Sequence, residues 1–234
     1  MKRWLALMAV ICTIVLAGSG VIAPCWGDTL ISFTDTKPND YVIGILYGII
    51  DSNYLQQDLS TSWTQTVATT NTTIGAILTG VAGSSAQGQA YLMNALGPGT
   101  TMANQIAMAS FTPPILTTGP GDLTSAPVTT LFTGLNLAPG TYYLVLQQTA
   151  PTLLWYGDDS GVVVNTAAGF SVGTYQCAIP LASYPPSSSF LPYGLEGDHF
   201  FYTVEGTVVP VPPTVWLLGS GLLGLAGWRR FRKG

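Results

Sequence analysis

Leu137-Ala138-Pro139-Gly140-Thr141-Tyr142-Tyr143-Leu144-Val145-Leu146 is the stretch of the chain with the clearest fold signal. Its Pro-Gly pair is typical of a tight turn, because proline presets φ and glycine tolerates conformations that other residues avoid. After the turn, one set of side chains alternates with another: Tyr142, Leu144 and Leu146 against Tyr143, Val145 and Gln147. Successive side chains of a strand point to opposite faces, so this alternation predicts a β-strand with one face in a core.

The same turn and strand resemble the tyrosine corner of immunoglobulin-like and fibronectin-like sandwiches. In that device a tyrosine near the turn donates its hydroxyl to a backbone group upstream. Tyr143 is predicted to hold this role here. The resemblance implies a stabilising contact and carries no information about a ligand.

The composition around this stretch predicts an all-β body. Threonine and serine are abundant, and glycine or proline interrupts the chain about every ten residues. Candidate strands cover residues 29–33, 41–47, 62–69, 73–79, 106–111, 129–135, 141–148, 153–156, 161–165, 169–175 and 199–208. Residues 86–96 could form a short helix or a loop. We therefore expect a single β-sandwich, immunoglobulin-like or jelly-roll-like, over residues 28–208.

The C-terminal end reads as a proline hinge, an apolar run and a basic stop. The hinge consists of Val209, Pro210, Val211, Pro212 and Pro213. The apolar run comprises Thr214, Val215, Trp216, Leu217, Leu218, Gly219, Ser220, Gly221, Leu222, Leu223, Gly224, Leu225, Ala226, Gly227 and Trp228. The basic stop is formed by Arg229, Arg230, Arg232 and Lys233. This order predicts a transmembrane helix over 214–228 with its cationic end in the cytoplasm.

The predicted helix is short for a permanent membrane anchor. Fifteen residues extend over about 22 Å in a helix, whereas the hydrocarbon core is ~30 Å thick. Its small residues suit close packing against the helices of another membrane protein. The length therefore favours a transient segment that is removed, with an uncleaved anchor as the alternative.

This C-terminal segment resembles the PEP-CTERM sorting signal, which is found on exported proteins of Gram-negative bacteria that make exopolysaccharide. The resemblance covers residues 209–233, and Val211 stands where the namesake motif has glutamate. It implies recognition by an exosortase, an integral-membrane cysteine peptidase-like enzyme, and cleavage near 210–213. The body would then reach the cell surface or the extracellular space. Exopolysaccharide is a candidate partner.

The N-terminal end predicts a signal peptide over residues 1–27. Lys2 and Arg3 precede an apolar run over 4–16, and small residues follow. Cleavage after Gly27 is preferred over cleavage after Ala23, and an uncleaved N-terminal helix is the alternative. The expected domains are thus the signal peptide, the body over 28–208 and the sorting segment over 209–234.

Charge within the body excludes some partners. Between Asp28 and Val208 there are eleven acids and a single cation, Lys37, so the body carries a charge of about −10. Nucleic acids and anionic membrane surfaces both select basic patches, which argues against them as partners of the body. Ca²⁺ and neutral glycans are compatible with this charge.

Residues with catalytic or metal-binding chemistry are few. His199 is the chain's single histidine, and neither a Gly-x-Ser-x-Gly elbow nor a Cys–His signature accompanies it. We therefore expect no enzyme activity and no required cofactor. Asp158 and Asp159 lie at a predicted hairpin tip, which favours a polar turn. The alternative is half of a Ca²⁺ site, completed by Glu196 or Asp198.

Aromatic residues and cysteines leave further alternatives open. A sugar-stacking face could use Trp63, Trp155, Tyr184 and Tyr193, although such residues more often fill a core. If Cys25 survives signal cleavage, it could form a disulfide with Cys177 in an oxidising compartment. Otherwise Cys177 is expected to be a small buried apolar residue.

Three functions are compatible with these features. The preferred one is a structural or interaction protein of the cell surface or extracellular matrix, sorted by its C-terminal signal. The second is a carbohydrate- or Ca²⁺-binding module delivered in the same way. A secreted hydrolase is the third.

Overall fold

The computed structural model describes residues 28–35, 43–47, 58–80, 86–115, 127–149, 153–158, 161–174, 176–178, 190–192 and 199–210. Within these ranges the regular structure is β-strand, apart from a short 3-10 helix at Met102–Asn104. The strands are β1 (Asp28–Asp35), β2 (Ile43–Tyr47), β3 (Asp58–Gln65), β4 (Thr69–Gly80), β5 (Gly88–Met93), β6 (Gln105–Phe111), β7 (Val128–Leu137), β8 (Gly140–Gln148), β9 (Leu153–Asp158), β10 (Val162–Thr166), β11 (Phe170–Val172), β12 (Gln176–Ala178), β13 (Phe190–Pro192), β14 (His199–Phe200) and β15 (Tyr202–Val208). The predicted all-β class is confirmed.

The described strands form two antiparallel sheets. The first has the order β10-β1-β15-β4-β9-β14, with β2 also paired to β9 and β7 also paired to β4. The second has the order β13-β12-β3-β8-β5-β6, with β11 also paired to β3. All named strands belong to one compact unit, Trp26–Val208.

Eight of these strands follow the order of a jelly roll. Within the two sheets, β1-β15-β4-β7 and β3-β8-β5-β6 are neighbours. An immunoglobulin-like sandwich would pair its first strand with its second. Here β1 pairs instead with β10 and β15, so the first and last of the eight strands lie side by side. Of the two sandwich types predicted, the order of these strands is that of the double-sheet jelly roll.

A hydrophobic core lies between the two sheets. One cluster of buried side chains includes Ile74 and Val204 from the first sheet and Trp63, Leu92 and Leu144 from the second. All five are completely shielded from solvent. Burial of such side chains contributes about 1.5–3 kcal/mol each, so this shared core holds the two sheets face to face.

Two sequence predictions about strands are wrong. Residues 86–96 contain the strand β5, where a helix or loop was expected. β5 lies between β6 and β8 and places Ala90 and Leu92 in the core, so pairing on both edges decides its structure. The strand expected at 62–69 is β3, which ends at Gln65, and residues 66–68 connect it to β4.

Several predictions fall outside the described residues. They concern the signal peptide over 1–27 and the part of the sorting segment from Val211 onward, including the helix over 214–228 and the basic stop. Within the part of the chain that the structure describes, no helix has the length and apolar character needed to cross a membrane.

Candidate functional site

The strand β15 leads directly into the predicted sorting segment. It lies between β1 and β4, and its last residue, Val208, is paired with Thr69. Alternating tyrosine, threonine and valine residues suit a strand of this kind, and Tyr202 and Val204 are buried. Val209 and Pro210 follow and are exposed. Proline has no backbone N–H and cannot extend a central ladder, which explains why pairing stops before it.

The body begins and ends at the same end of the first sheet. Asp28, the first residue of β1, lies opposite Gly206, near the end of β15. Since the two strands are antiparallel, the chain enters the sandwich where it also leaves it. We call this end the tail pole and define it by the loops 66–68, 138–139 and 167–169, which surround the start of β1 and the end of β15.

Backbone hydrogen bonds hold the loops of the tail pole together. The amide of Thr66 donates to the carbonyl of Gly169 at 2.8 Å, and that of Ala167 donates to the carbonyl of Leu30 at 2.8 Å. Gly169 has a φ of +87°, a left-handed conformation that favours glycine. These contacts link β3, β1 and the β10–β11 turn by hydrogen bonds at this end of the sandwich.

A buried glutamine completes this arrangement. Gln65 is 1% exposed and is the last residue of β3. Its Oε1 accepts a hydrogen bond from the indole N–H of Trp63 at 3.2 Å. Its Nε2 donates to the carbonyl of Val67 at 3.0 Å and to that of Ala138 at 3.3 Å. One side chain therefore hydrogen-bonds to backbone carbonyls of two loops.

The tyrosine corner is present, but its tyrosine is Tyr142 and not Tyr143. The Tyr142 hydroxyl donates to the carbonyl of Ala138 at 2.6 Å. Burial raises the pKa of Tyr142, while this hydrogen bond opposes the shift. Tyr143 points to the other face of the sheet, where it packs against Tyr91, Met93 and Val145. The tyrosine corner was therefore predicted correctly, but the wrong tyrosine was assigned to it. Because adjacent residues of a strand point to opposite faces of the sheet, an error of one position places the side chain on the wrong face.

The corner contact predicts a difference between two adjacent tyrosines. Tyr142→Phe is expected to lower the free energy of unfolding by about 0.5–1.5 kcal/mol, the net contribution of one hydrogen bond. Tyr143→Phe is the matched control, because its hydroxyl does not make the corner bond, and a change within about 0.5 kcal/mol is expected. Urea denaturation of residues 28–208 measures both. Equal losses in the two variants would contradict the assignment.

The loops of the tail pole are short and carry no charged residue. Its loops read Thr66-Val67-Ala68, Ala138-Pro139 and Ala167-Ala168-Gly169. Thr66, Ala138, Pro139, Ala168 and Gly169 are exposed. The exposed Asp28 begins β1 at this same end, and the exposed Glu205 lies opposite Thr29 on β15. The composition of the three loops contrasts with the strongly acidic character of the body as a whole.

The proposed calcium ligands are only partly described. Asp158 ends β9, and its backbone is paired with that of His199 in β14. Asp159, Glu196 and Asp198 lie outside the described residues, and the side chain of Asp158 is not described. Within the described ranges no group of three or more His, Cys, Asp or Glu side chains could hold a metal ion. The calcium site stays a prediction.

The remaining candidates have different outcomes. Trp63 is completely buried and Trp155 is 1% exposed, so neither can stack on a sugar, and that part of the proposed glycan face is wrong. Their rings instead stack on Tyr142 and Phe200 in the core. Tyr184, Tyr193 and Cys25 lie outside the described residues. The side chain of Cys177 is not described, so the disulfide stays a prediction.

His199 lies in an aromatic setting. It is half-buried at the start of β14, and its ring centroid is 5.9 Å from that of Phe33. This environment is compatible with a structural role for His199. A catalytic role is not tested by these contacts.

Comparison with protein families bears on the C-terminal end. Residues 208–233 match the family model of the PEP-CTERM protein-sorting motif. A search of curated proteins gives no match to the chain. Together, the sandwich and this motif indicate an exported β-protein with a C-terminal sorting signal.

More specifically, the chain carries the PEP-CTERM motif of exosortase substrates, so the resemblance seen in the sequence is confirmed. The motif implies export, a membrane-anchored precursor, processing by the membrane enzyme exosortase, and a final place at the cell surface or outside the cell. The match begins at Val208, the last residue of β15, so the motif starts where the sandwich ends.

Proposed function

We propose that this protein is a structural or interaction protein of the cell surface or extracellular matrix, without catalytic activity of its own. Exosortase processing near residues 210–213 would release the sandwich or transfer it to the surface. The observation that carries this proposal is the position of the motif, which begins at the last residue of a central strand. Cleavage after that strand leaves the whole sandwich intact.

The described polar clusters of the body support a structural role. Gln65 and Tyr142 use their hydrogen-bonding groups to satisfy loop carbonyls of the tail pole. Trp63 and Trp155 donate to Gln65 and to the carbonyl of Phe201, respectively. These groups stabilise the fold.

Exopolysaccharide is the partner that we propose at the surface. The reason is that the PEP-CTERM signal is found on exported proteins of bacteria that make exopolysaccharide. Since Trp63 and Trp155 lie in the core, contacts with sugar would have to use other side chains. The acidic character of the body favours neutral sugars over polyanionic ones, because like charges repel.

Processing predicts a shorter mature protein. In an exosortase-bearing host, surface protein is expected to lack the segment that follows approximately Pro213, including the basic stop. In the same host without exosortase, the full C-terminus should be retained in the membrane fraction. Mass spectrometry of the C-terminal peptide distinguishes the two forms. Peptides ending at Gly234 in surface protein from the complete host would refute the proposal.

The basic stop offers a matched variant for this experiment. Reversing the charges of Arg229, Arg230, Arg232 and Lys233 should impair sorting, because cytoplasmic cations set the orientation of the segment. Conservative exchange of each Arg for Lys, and of Lys233 for Arg, retains the charge and should leave sorting unchanged.

A further inference from the structure

The tether between the sandwich and the predicted membrane segment is short. Five residues, Val209, Pro210, Val211, Pro212 and Pro213, separate Val208 from Thr214. An extended chain covers at most about 3.3–3.6 Å per residue, so this tether reaches no more than ~18 Å. Val208 is paired with Thr69 in the ladder and adds no slack without loss of strand pairing.

Processing takes place within this tether. A bond near 210–213 must enter a membrane-embedded enzyme while the folded body is attached a few residues away. The tether follows β15, and β15 ends at the tail pole, beside the loop 66–68 and the start of β1. Any enzyme that reaches the scissile bond must therefore approach this surface closely.

The chemistry of the tail pole suits such an approach. Its loops carry no charged residue, and their exposed side chains are those of Ala, Pro, Gly and Thr. A charged side chain at a closely packed interface loses hydration, which is unfavourable unless a partner compensates it. The hydrogen bonds of Thr66, Ala167 and Gln65 also hold these loops in one arrangement, so little ordering is needed on contact.

We propose that the tail pole is a docking surface for the extracytoplasmic face of the membrane-embedded processing enzyme. Contact occurs while the residues after Val208 occupy the enzyme. The small, uncharged loops permit the body to come close enough for cleavage. This inference rests on the proposed exosortase processing.

The test introduces charge at the pole of the full-length protein in its exosortase-bearing host. Ala138→Glu combined with Ala168→Glu is expected to slow processing by at least about tenfold, since two carboxylates would lose hydration at the interface. The matched control combines Gln87→Glu and Thr149→Glu, two exposed positions joined by a backbone hydrogen bond at the opposite end of the second sheet. The control should be processed at the wild-type rate.

A longer tether should rescue the pole variant. A six-residue segment of Gly and Ser, inserted between Val208 and Val209, adds up to ~20 Å to the reach of the tether. The enzyme can then act without touching the pole. Pulse-labelling followed by detection of the C-terminal peptide measures the rate. Wild-type processing of the uninserted pole variant, or slow processing that the insertion does not rescue, would overturn the inference.

Lysine variants separate the enzyme from the lipid surface. Ala138→Lys with Ala168→Lys should also slow processing if the pole meets the enzyme, because a cation is desolvated there as well. Faster processing would instead indicate anionic lipid headgroups and overturn the assignment.

Thermal unfolding checks that each variant folds, and Thr66→Glu replaces a variant that does not. Unprocessed wild-type protein would refute the proposed function itself, whereas processed wild type with unaffected pole variants refutes only the docking surface.

Discussion

Removing β15 is expected to abolish folding of the body. A protein of residues 28–208 should show a cooperative thermal transition, whereas one of residues 28–201 should not. Tyr202 and Val204 are buried in the core, and their burial alone contributes about 1.5–3 kcal/mol each. Loss of β15 also exposes the facing edges of β1 and β4. These losses are comparable with the total stability of a typical domain, about 5–15 kcal/mol.

A second truncation serves as the control for this experiment. Residues 28–210 add Val209 and Pro210, which are exposed and follow the last strand. This protein should have the same melting temperature as residues 28–208, within experimental error. Far-ultraviolet circular dichroism during heating compares all three proteins. A cooperative β-transition in residues 28–201 would show that β15 is not an essential part of the sandwich.

Trp63→Ala is expected to have the largest effect of any single substitution considered. Trp63 has no exposed surface, and its ring lies 5.5 Å from that of Tyr142 and 5.8 Å from that of Tyr202. Replacing a buried tryptophan by alanine typically costs about 3–5 kcal/mol through lost burial and the cavity left behind. Here the buried Oε1 of Gln65 also loses the indole N–H that donates to it.

Two further variants separate packing from hydrogen bonding. Trp63→Phe retains part of the ring but not the N–H, so its loss should lie between those of wild type and Trp63→Ala. Thr64→Val is the control on the opposite face of β3, where Thr64 bonds to Thr141 at an exposed site. A change of about 0.5 kcal/mol or less is expected there. Guanidinium denaturation of residues 28–208 measures all three. A Trp63→Ala protein as stable as the control would contradict the burial described.

The faces of β8 could be predicted because alternation is a local property. Tyr142, Leu144 and Leu146 point into the core and Tyr143 and Val145 point away from it, as the sequence pattern indicated. The corner tyrosine could not be chosen with the same certainty. Two adjacent tyrosines follow the turn, and the choice depends on which face lies over the carbonyl of Ala138.

The end of β3 and the whole of β5 required tertiary information. The sequence pattern continues through Val67 and Ala68, but β3 ends at Gln65, whose Nε2 donates to the carbonyl of Val67 in the connection to β4. Residues 88–93 contain glycine, glutamine and alanine, which have weak preference for strands. They become β5 because β6 and β8 pair with both of its edges.

The sorting motif could be predicted from the sequence, whereas the role of the buried Gln65 could not. A motif of prolines, an apolar run and terminal cations is recognisable without knowledge of its neighbours, and the family match confirms it. In the sequence, Gln65 lies two positions after Trp63, which places its amide on the same inward face of β3. Its role depends on two loops that are distant in sequence, because its Nε2 donates to the carbonyls of Val67 and Ala138.

The position of β15 also determines how the body responds to force. If the protein is held by its C-terminal end, a pull on the body loads β15 along its own axis. Because β1 and β4 flank this strand, their hydrogen bonds must shear together instead of opening one after another. The start of β1 lies beside the end of β15 and would carry no load once the signal peptide is removed. Under such a load, β15 can leave the sandwich only after the ladders on both of its edges have been broken.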